Sequence, residues 1–312
     1  MHSGALTDLD EDVLLPATRR SFHHADATIE ELCDAKAGRS ISVCLPARNE
    51  AATVGFIVET LHRRLVEDHP LVDEIVVIDD HSSDGTAAVA AAAGARVVSA
   101  RAVLPDHGEG HGKGEVLWKS LFVSEGDLVV WCDADIREFD ERFVVGVAAP
   151  LVLDPTVTFS KGWYRREEHD GVGGGRVTEL VARPLLSMFF PALCRIRQPL
   201  SGEYGGRRDV LEQLPFVEGY GVDIGLLIDV AARYGIDSIA QVDLDVRHHR
   251  NRPLSELSPQ AMAVAGTILH KAQPGLVDPD TPLLLPDGNG VPVEVRERPP
   301  LSELADHPRF VG

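Results

Sequence analysis

Short apolar runs recur along the first half of the chain, and most lead into a polar turn. Ile41-Ser42-Val43-Cys44-Leu45 is the first and predicts a strand. It ends in Pro46-Ala47-Arg48-Asn49-Glu50, after which Val54, Ile57, Val58, Leu61 and Leu65 recur at helical spacing over about 53–66. Glu74–Ile78 (EIVVI) predicts a second strand, and the turn Asp79–Thr86 (DDHSSDGT) then opens an alanine-rich helix over 86–93. Gly94 stops that helix, and Ala95–Ser99 is a third strand. Leu128–Cys132 and Val157–Tyr164 read as further strands, with helices expected over 116–122 and 141–153.

Nearly continuous apolar strands alternating with helices predict a parallel sheet covered on both faces. Ligands of such sheets bind at the carboxyl ends of the strands. Three polar strand ends fall on that edge: Pro46–Glu50, Asp79–Thr86 and Asp133-Ala134-Asp135. Alone, the paired aspartates could be a helix cap and a solvated side chain. At the end of a buried strand, beside two other polar ends, they suit a hard divalent cation, because magnesium takes oxygen ligands and often only one or two carboxylates.

The second half carries isolated polar clusters. Lys113, between Gly112 and Gly114, is either a solvated lysine at a helix start or a cation aimed at a phosphate. The P-loop pattern is absent, and so is a dinucleotide-binding glycine fingerprint after the first strand. Glu167–Gly175 predicts a charged, glycine-rich loop. Gly173–Glu179 (GGGRVTE) then opens a helix over about 177–190, where free N–H groups, Arg176 and Thr178 could hold an anion, or could simply follow a linker. Pro199–Arg207 reads as turn-rich, and a buried helix over about 224–233 would take Asp223 at or near its N-cap. Lys161 is read as exposed. Ser238–Val246 is a strand that delivers Arg247-His248-His249-Arg250-Asn251-Arg252, a set suited to completing a cation shell and holding phosphate oxygens. A helix over 255–272 and a proline-rich, acidic tail over 274–312 complete the chain.

Composition narrows the partners. The 312 residues are 44% hydrophobic with a formal net charge of -19, which argues against nucleic acid and against an anionic membrane surface. An anionic small molecule would need the local arginines. None of the four cysteines forms a C-x-x-C pair, and Cys44 and Cys132 sit inside apolar runs, so a reducing cytosol is expected and zinc is not. No apolar run approaches the ~20 residues that span a bilayer, and the acidic N-terminus is unlike a signal peptide.

The order of the motifs LPARNE, IDDHSSDGT, GKGE and DAD resembles the nucleotide-sugar half of GT-A fold glycosyltransferases. With GGGRVTELVARPL (173–185), QPLSGEY (198–204), GYGVDIGLLID (219–229) and RHHRNRP (247–253), the chain resembles the glucosyl-3-phosphoglycerate synthases, a family of retaining transferases. The resemblance implies a mixed Rossmann-like α/β sheet with helices on both faces. It implies a nucleotide-sugar half (39–160) and an acceptor half (161–273), flanked by a polar N-terminal arm (1–38) and the tail (274–312), which carry no motif of the family.

Site roles follow from the same resemblance. Pro46, Ala47, Arg48, Asn49 and Glu50 would surround the uridine, with Asp80 beside the uracil where relatives carry serine. Lys113, Asp133, Ala134 and Arg250 would line the donor, with Asp133 on the ribose and Arg247 on the diphosphate. Asp135 and His249 would bind Mg2+ or Mn2+. Tyr220 and Asp223 would touch the sugar, glutamate being commoner at the latter position. Gly175, Arg176, Val177, Thr178 and Asn251 would form the phosphoglycerate site. Asp135, Asp223 and Arg247 are the residues expected to carry catalysis.

The expected reaction moves glucose from UDP-glucose to the 2-hydroxyl of 3-phosphoglycerate, in a cytoplasmic homodimer. A cation, helped by arginine and lysine, would stabilise the leaving diphosphate. With no evident nucleophile, front-face attack is preferred to double displacement, and Asp223 is the residue that could reverse that preference. Mannosyl transfer from GDP-mannose and inverting transfer to a lipid phosphate are the alternatives within glycosyl transfer. A nucleotidyltransferase would need a glycine-rich, arginine-bearing loop after the first strand, and a binding module would need no metal ligands.

Overall fold

The computed structural model describes residues 20–305 except 109, 111, 169–170, 174, 248–253 and 294. Its frame is one mixed sheet in which the apolar runs become strands. These are β1 (Ser21–His23), β2 (Ile41–Ala47), β3 (Glu74–Asp79), β4 (Arg96–Ser99), β5 (Leu128–Trp131), β6 (Phe159–Glu168), β7 (Gly171–Gly173) and β8 (Tyr204–Arg207). Outside the sheet lies β9 (Phe216–Val217), and β10 (Ile239–Val246) returns to it. The order is β1-β10-β6-β8-β5-β2-β3-β4, with β7 folding back on β6.

β2, β3, β4 and β5 pair in parallel, as do β1, β10 and β6. β8 runs antiparallel between β5 and β6 and joins the two parallel groups. Glycine makes that insertion possible. A side chain on Gly205 would press on the Val129 carbonyl, and one on Gly206 on the Thr158 carbonyl. The expected turn-rich stretch 199–207 thus ends in a central strand. The Gly-Gly pair conceals it, since glycine is depleted from strands and carries no alternation of side chains to read.

Alternation within each strand sends side chains to two cores. Val43, Leu45, Val77 and Val130 face α1 (Ile29–Ala35), α2 (Val54–His62) and α5 (Arg142–Leu153), whereas Cys44, Val76, Val129 and Trp131 face the opposite layer. α3 (Thr86–Ala92) follows β3 on the first side. The opposite layer holds α4 (Gly112–Val123), α6 (Arg183–Phe189), α7 (Arg208–Leu211), α8 (Val222–Tyr234) and α9 (Leu254–Ala272). Each Val, Leu or Ile taken fully out of water there contributes roughly 1.5–3 kcal/mol.

The tail adds β11 (Leu283–Leu284), β12 (Gly290–Val291) and β13 (Glu297–Arg298), and β13 pairs with β9. Three local expectations are corrected and one is made more definite. The loop at 167–175 contains β7, in register with β6 from Arg166↔Gly173 to Glu168↔Gly171. The helix expected over 177–190 begins as a π turn, Thr178–Ala182, before α6. Asp223, expected at or near the N-cap of α8, is near it: the second residue of the helix, after the cap Gly221. Lys161 is buried, at 1% exposure.

Candidate active site

The carboxyl edge of the sheet gathers the polar ends of β2, β3, β5 and β10. Because β8 is antiparallel, the residues that precede it emerge on the same edge. Two strand-end turns are knitted together first. Asn49, at φ 58°, donates its N–H to Ser82 Oγ (2.9 Å), and its Oδ1 accepts from Ser83 N–H (2.8 Å). Glu50 N–H donates to Thr86 Oγ1 (2.8 Å), and Ala51 N–H to Asp84 Oδ2 (3.1 Å). Hydrogen bonds from Thr86, with help from Ala51, hold the Asp84 carboxyl below its usual range. Asp80 is buried, paired with His81 (2.7 Å) and more loosely with the exposed Arg48 (3.8 Å). Pro46 is half-buried. Ala47 and Ala134 pack in the core, and the Ala134 carbonyl accepts from Thr53 Oγ1 (2.6 Å).

Beside these turns lies a chain of ion pairs. Lys113 Nζ meets Asp133 Oδ1 at 3.0 Å and Asp223 Oδ1 at 3.2 Å. Burial alone would lower the lysine's pKa, but Asp133 and Asp223 outweigh it and hold the ammonium above its ordinary value. The glycines around Lys113 permit this approach. A Cβ on Gly112 would come within 2.9 Å of Gly219 Cα, and one on Gly114 would overlap the Val217 carbonyl oxygen. The tail clamps the same helix. Arg298 pairs with Glu115 (2.5 Å) and Glu218 (3.1 Å), and Trp118 donates to the Pro299 carbonyl (2.9 Å).

Arg247, at the end of β10, closes the chain of pairs. Its Nη2 meets Asp135 Oδ1 at 3.0 Å, while Nη1 meets Glu203 Oε1 at 2.6 Å, Tyr164 Oη at 3.1 Å and Asp133 Oδ2 at 3.6 Å. Burial, against the opposing pull of Arg247, holds the Glu203 carboxyl up at about 7. Lys161 lies beneath, with Nζ donating to the Ser201 carbonyl (2.9 Å) and 4.0 Å from the centre of the Tyr204 ring. Burial pushes its ammonium down to about 8. Neither Cys44 nor Cys132 takes part: burial pushes the first thiol up to about 12 and the second well above its ordinary value.

Asp133, Asp135, Lys113, Asp223 and Arg247 are therefore brought into one cluster. Tyr220 is half-open to solvent nearby in sequence. Gly175 and Arg176 are half-buried, Thr178 is buried inside its π turn, and Val177 packs in the core, so only its backbone could serve a ligand. His249, Arg250 and Asn251 lie outside the described residues. Glu203, Tyr164 and Lys161 were not among the expected site residues. The available sequence signal for Glu203 was its place in the QPLSGEY motif; in the fold, a side chain on the preceding Gly202 would overlap the Asp133 carboxylate.

The donor set suits a hard cation. Asp133 and Asp135 offer carboxylate oxygens at one strand end, with side chains 27% and 41% exposed. Among the described residues, the three-residue group with metal-ligand spacing is a different one: His23, His24 and Asp245. There Ala25 N–H donates to His23 Nδ1 (3.2 Å), which leaves the proton on Nε2, and Arg165 already holds Asp245 (3.0 Å).

Residues 42–177 match the family model for glycosyl transferase family 2. The chain is 45% identical over 299 residues to the glucosyl-3-phosphoglycerate synthase of Mycolicibacterium smegmatis, covering 92% of this chain and 97% of that protein. The chain belongs to the glucosyl-3-phosphoglycerate synthase family. It is therefore a glycosyltransferase. The Petrotoga mobilis member is 44% identical, over 85% of this chain and 84% of its own. The Mycobacterium tuberculosis enzyme, crystallised with Mn2+, UDP-glucose and phosphoglyceric acid, superposes with a TM-score of 0.83 at 45% identity. That likeness covers 91% of this chain and 98% of the other. The mixed sheet with helices on both faces is thus the architecture of the family.

Proposed function

We propose that this chain transfers the glucosyl group of UDP-glucose to the 2-hydroxyl of 3-phospho-D-glycerate, with retention, giving glucosyl-3-phosphoglycerate and UDP. The observation that carries the reading is the cluster of Lys113, Asp133, Asp135, Asp223 and Arg247 at the carboxyl edge of the sheet. The likeness to relatives crystallised with these ligands supports it.

Asp135, with His249, would hold a divalent cation, Mg2+ or Mn2+, and that cation supplies charge neutralisation on the leaving diphosphate. Arg247 and Lys113 add fixed positive charge on the same side, where preorganised charge is most effective. Asp133 holds the ribose, Asp223 and Tyr220 orient the sugar, and Arg176 with Gly175, Thr178 and Asn251 receives the phosphoglycerate. In the transfer the anomeric C–O bond to the diphosphate breaks and a C–O bond to the acceptor's 2-oxygen forms. The hydroxyl proton passes to a diphosphate oxygen.

Front-face attack is supported by the state of two carboxylates of the cluster that could act as nucleophiles. Asp223 is 5% exposed and bound to Lys113, and Glu203 is fully buried against Arg247. The reading includes a cytoplasmic homodimer. The four free cysteines support the compartment. Exposed Leu180, Met188 and Phe189, on one segment, support an oligomer contact.

A donor screen tests the reading. With 3-phosphoglycerate and Mn2+ or Mg2+, UDP release is expected from UDP-glucose, with none from GDP-mannose, and chelation should abolish it. Release that requires a lipid phosphate acceptor would overturn the assignment.

A further inference from the structure

Three carboxylates surround the Arg247 guanidinium, and they differ in what can reach them. Asp133 and Asp135 have side chains 27% and 41% exposed and face the cleft. Glu203 is 0% exposed, its Oε1 lies 2.6 Å from Nη1, and its Oε2 has no hydrogen-bond partner. An ionised carboxylate in such surroundings is costly unless a cation is bound to it, so the pair is held together strongly. The backbone is fixed as well, since Gly162 N–H donates to the Glu203 carbonyl at 2.8 Å and Tyr204 begins β8.

We infer that Glu203 is a positioning residue for the transfer: it anchors Arg247 from behind so that Asp135 can leave the guanidinium for a cation without the guanidinium following it. The inference rests on the proposed function for the identity of the ligands. Asp135 cannot serve Arg247 and a divalent cation equally well. When it turns to the cation, Arg247 loses one anionic partner, and Nη2 becomes available to an anionic oxygen in the cleft. Glu203, out of reach of solvent and ligand, keeps Nη1. Without its charge the guanidinium would settle on Asp133 and Asp135 and compete with the cation for them.

The test is Mn2+ titration followed by electron paramagnetic resonance, with UDP present and no acceptor. Glu203→Gln should raise the Mn2+ dissociation constant about tenfold, and kcat should fall by about 10–100-fold, the scale of losing an outer partner of a metal site. The KM for 3-phosphoglycerate should stay within about twofold, because the acceptor side is untouched. In an Arg247→Gln background, Glu203→Gln should add little, the non-additivity expected when one residue acts through the other. Unchanged Mn2+ affinity, or losses that multiply, would overturn the inference. Should Glu203→Gln fail to fold, thermal unfolding of Arg247→Gln is compared with that of the double Gln variant. The double should melt higher, since it removes an unpaired buried carboxylate, and equal or lower melting would overturn the pairing. Mn2+ binding with UDP does not involve the acceptor. A wrong acceptor therefore leaves this readout intact, while an enzyme active on phosphoglycerate whose Mn2+ affinity ignores Glu203 refutes the inference alone.

Discussion

At one end of the functional edge, β2 and β3 each run straight into the turn that faces the cleft, and those turns bind one another. Asn49 reaches Ser82 and Ser83, and Glu50 reaches Thr86, all within about forty residues of chain. On the other side, nothing equivalent holds locally. Arg247, Glu203, Asp133 and Asp135 come from the ends of β10, β8 and β5, and the ion pairs of Arg247 bridge sequence separations of 44 to 114 residues. The first arrangement is preformed by hydrogen bonds that no ligand need disturb. The second is a balance of charges, four carboxylates (Asp133, Asp135, Glu203, Asp223) against Lys113, Arg247 and Lys161, which an incoming cation or diphosphate would redistribute. One half is thus built as a mould and the other as an exchangeable set of partners.

The largest break in that balance is Asp135→Ala. Turnover should fall by on the order of 10³-fold or more, because stabilisation of the leaving group loses its metal ligand. Assay of UDP release checks this, and activity within tenfold of wild type would remove Asp135 from the metal site. Gly114→Ala tests the packing beneath Lys113. Its new methyl group meets the Val217 carbonyl, so a loss of about 1–3 kcal/mol is expected from overpacking, together with a raised KM for UDP-glucose. Thermal melting and donor saturation read the two effects. Arg176→Ala should act on the other substrate, raising the KM for 3-phosphoglycerate by about tenfold with little change in donor KM, as for a lost charge-assisted contact. Unchanged acceptor saturation would take Arg176 out of the acceptor site.

A last prediction concerns Lys161. Its folded pKa is about 8, below its ordinary 10.5, so between those values the folded protein binds fewer protons than the unfolded chain. Its contribution to stability therefore rises with pH across about 8–10.5, by up to ~1.4 kcal/mol per unit. Below pH 8 the buried ammonium is a net cost. Lys161→Met should accordingly melt higher than wild type near pH 7, with the difference shrinking as pH rises through that window. A difference that does not depend on pH would show that the lysine is not buried as a charge.

Much of this could be read in the residues before any coordinates. The strands Ile41–Ala47, Glu74–Asp79 and Leu128–Trp131 are apolar on both faces, and that continuity is legible because both faces are buried. The polar residues at their ends were legible for the complementary reason, that polar side chains are costly beside a core unless a site needs them. β8 was not legible. Tyr204-Gly205-Gly206-Arg207 has no alternation to read, and its place between β5 and β6 depends on two partners far away in the chain. Lys161 was misread as exposed because a lysine in a strand is usually solvated, and only the Tyr204 ring and the Ser201 carbonyl show why this one is not.

The amino-acid sequence by itself therefore determined the parallel strands β2 to β5, their functional edge, the local turns of the donor side and, through its motifs, the family. Those depend on periodicity and on neighbours in the chain. Only the tertiary structure decided that the glutamate of SGEY lies behind Arg247, that Lys113 is shared between Asp133 and Asp223, and that Lys161 is a buried cation. Those depend on which charges meet across long separations, and a charge has no periodicity that announces its partner.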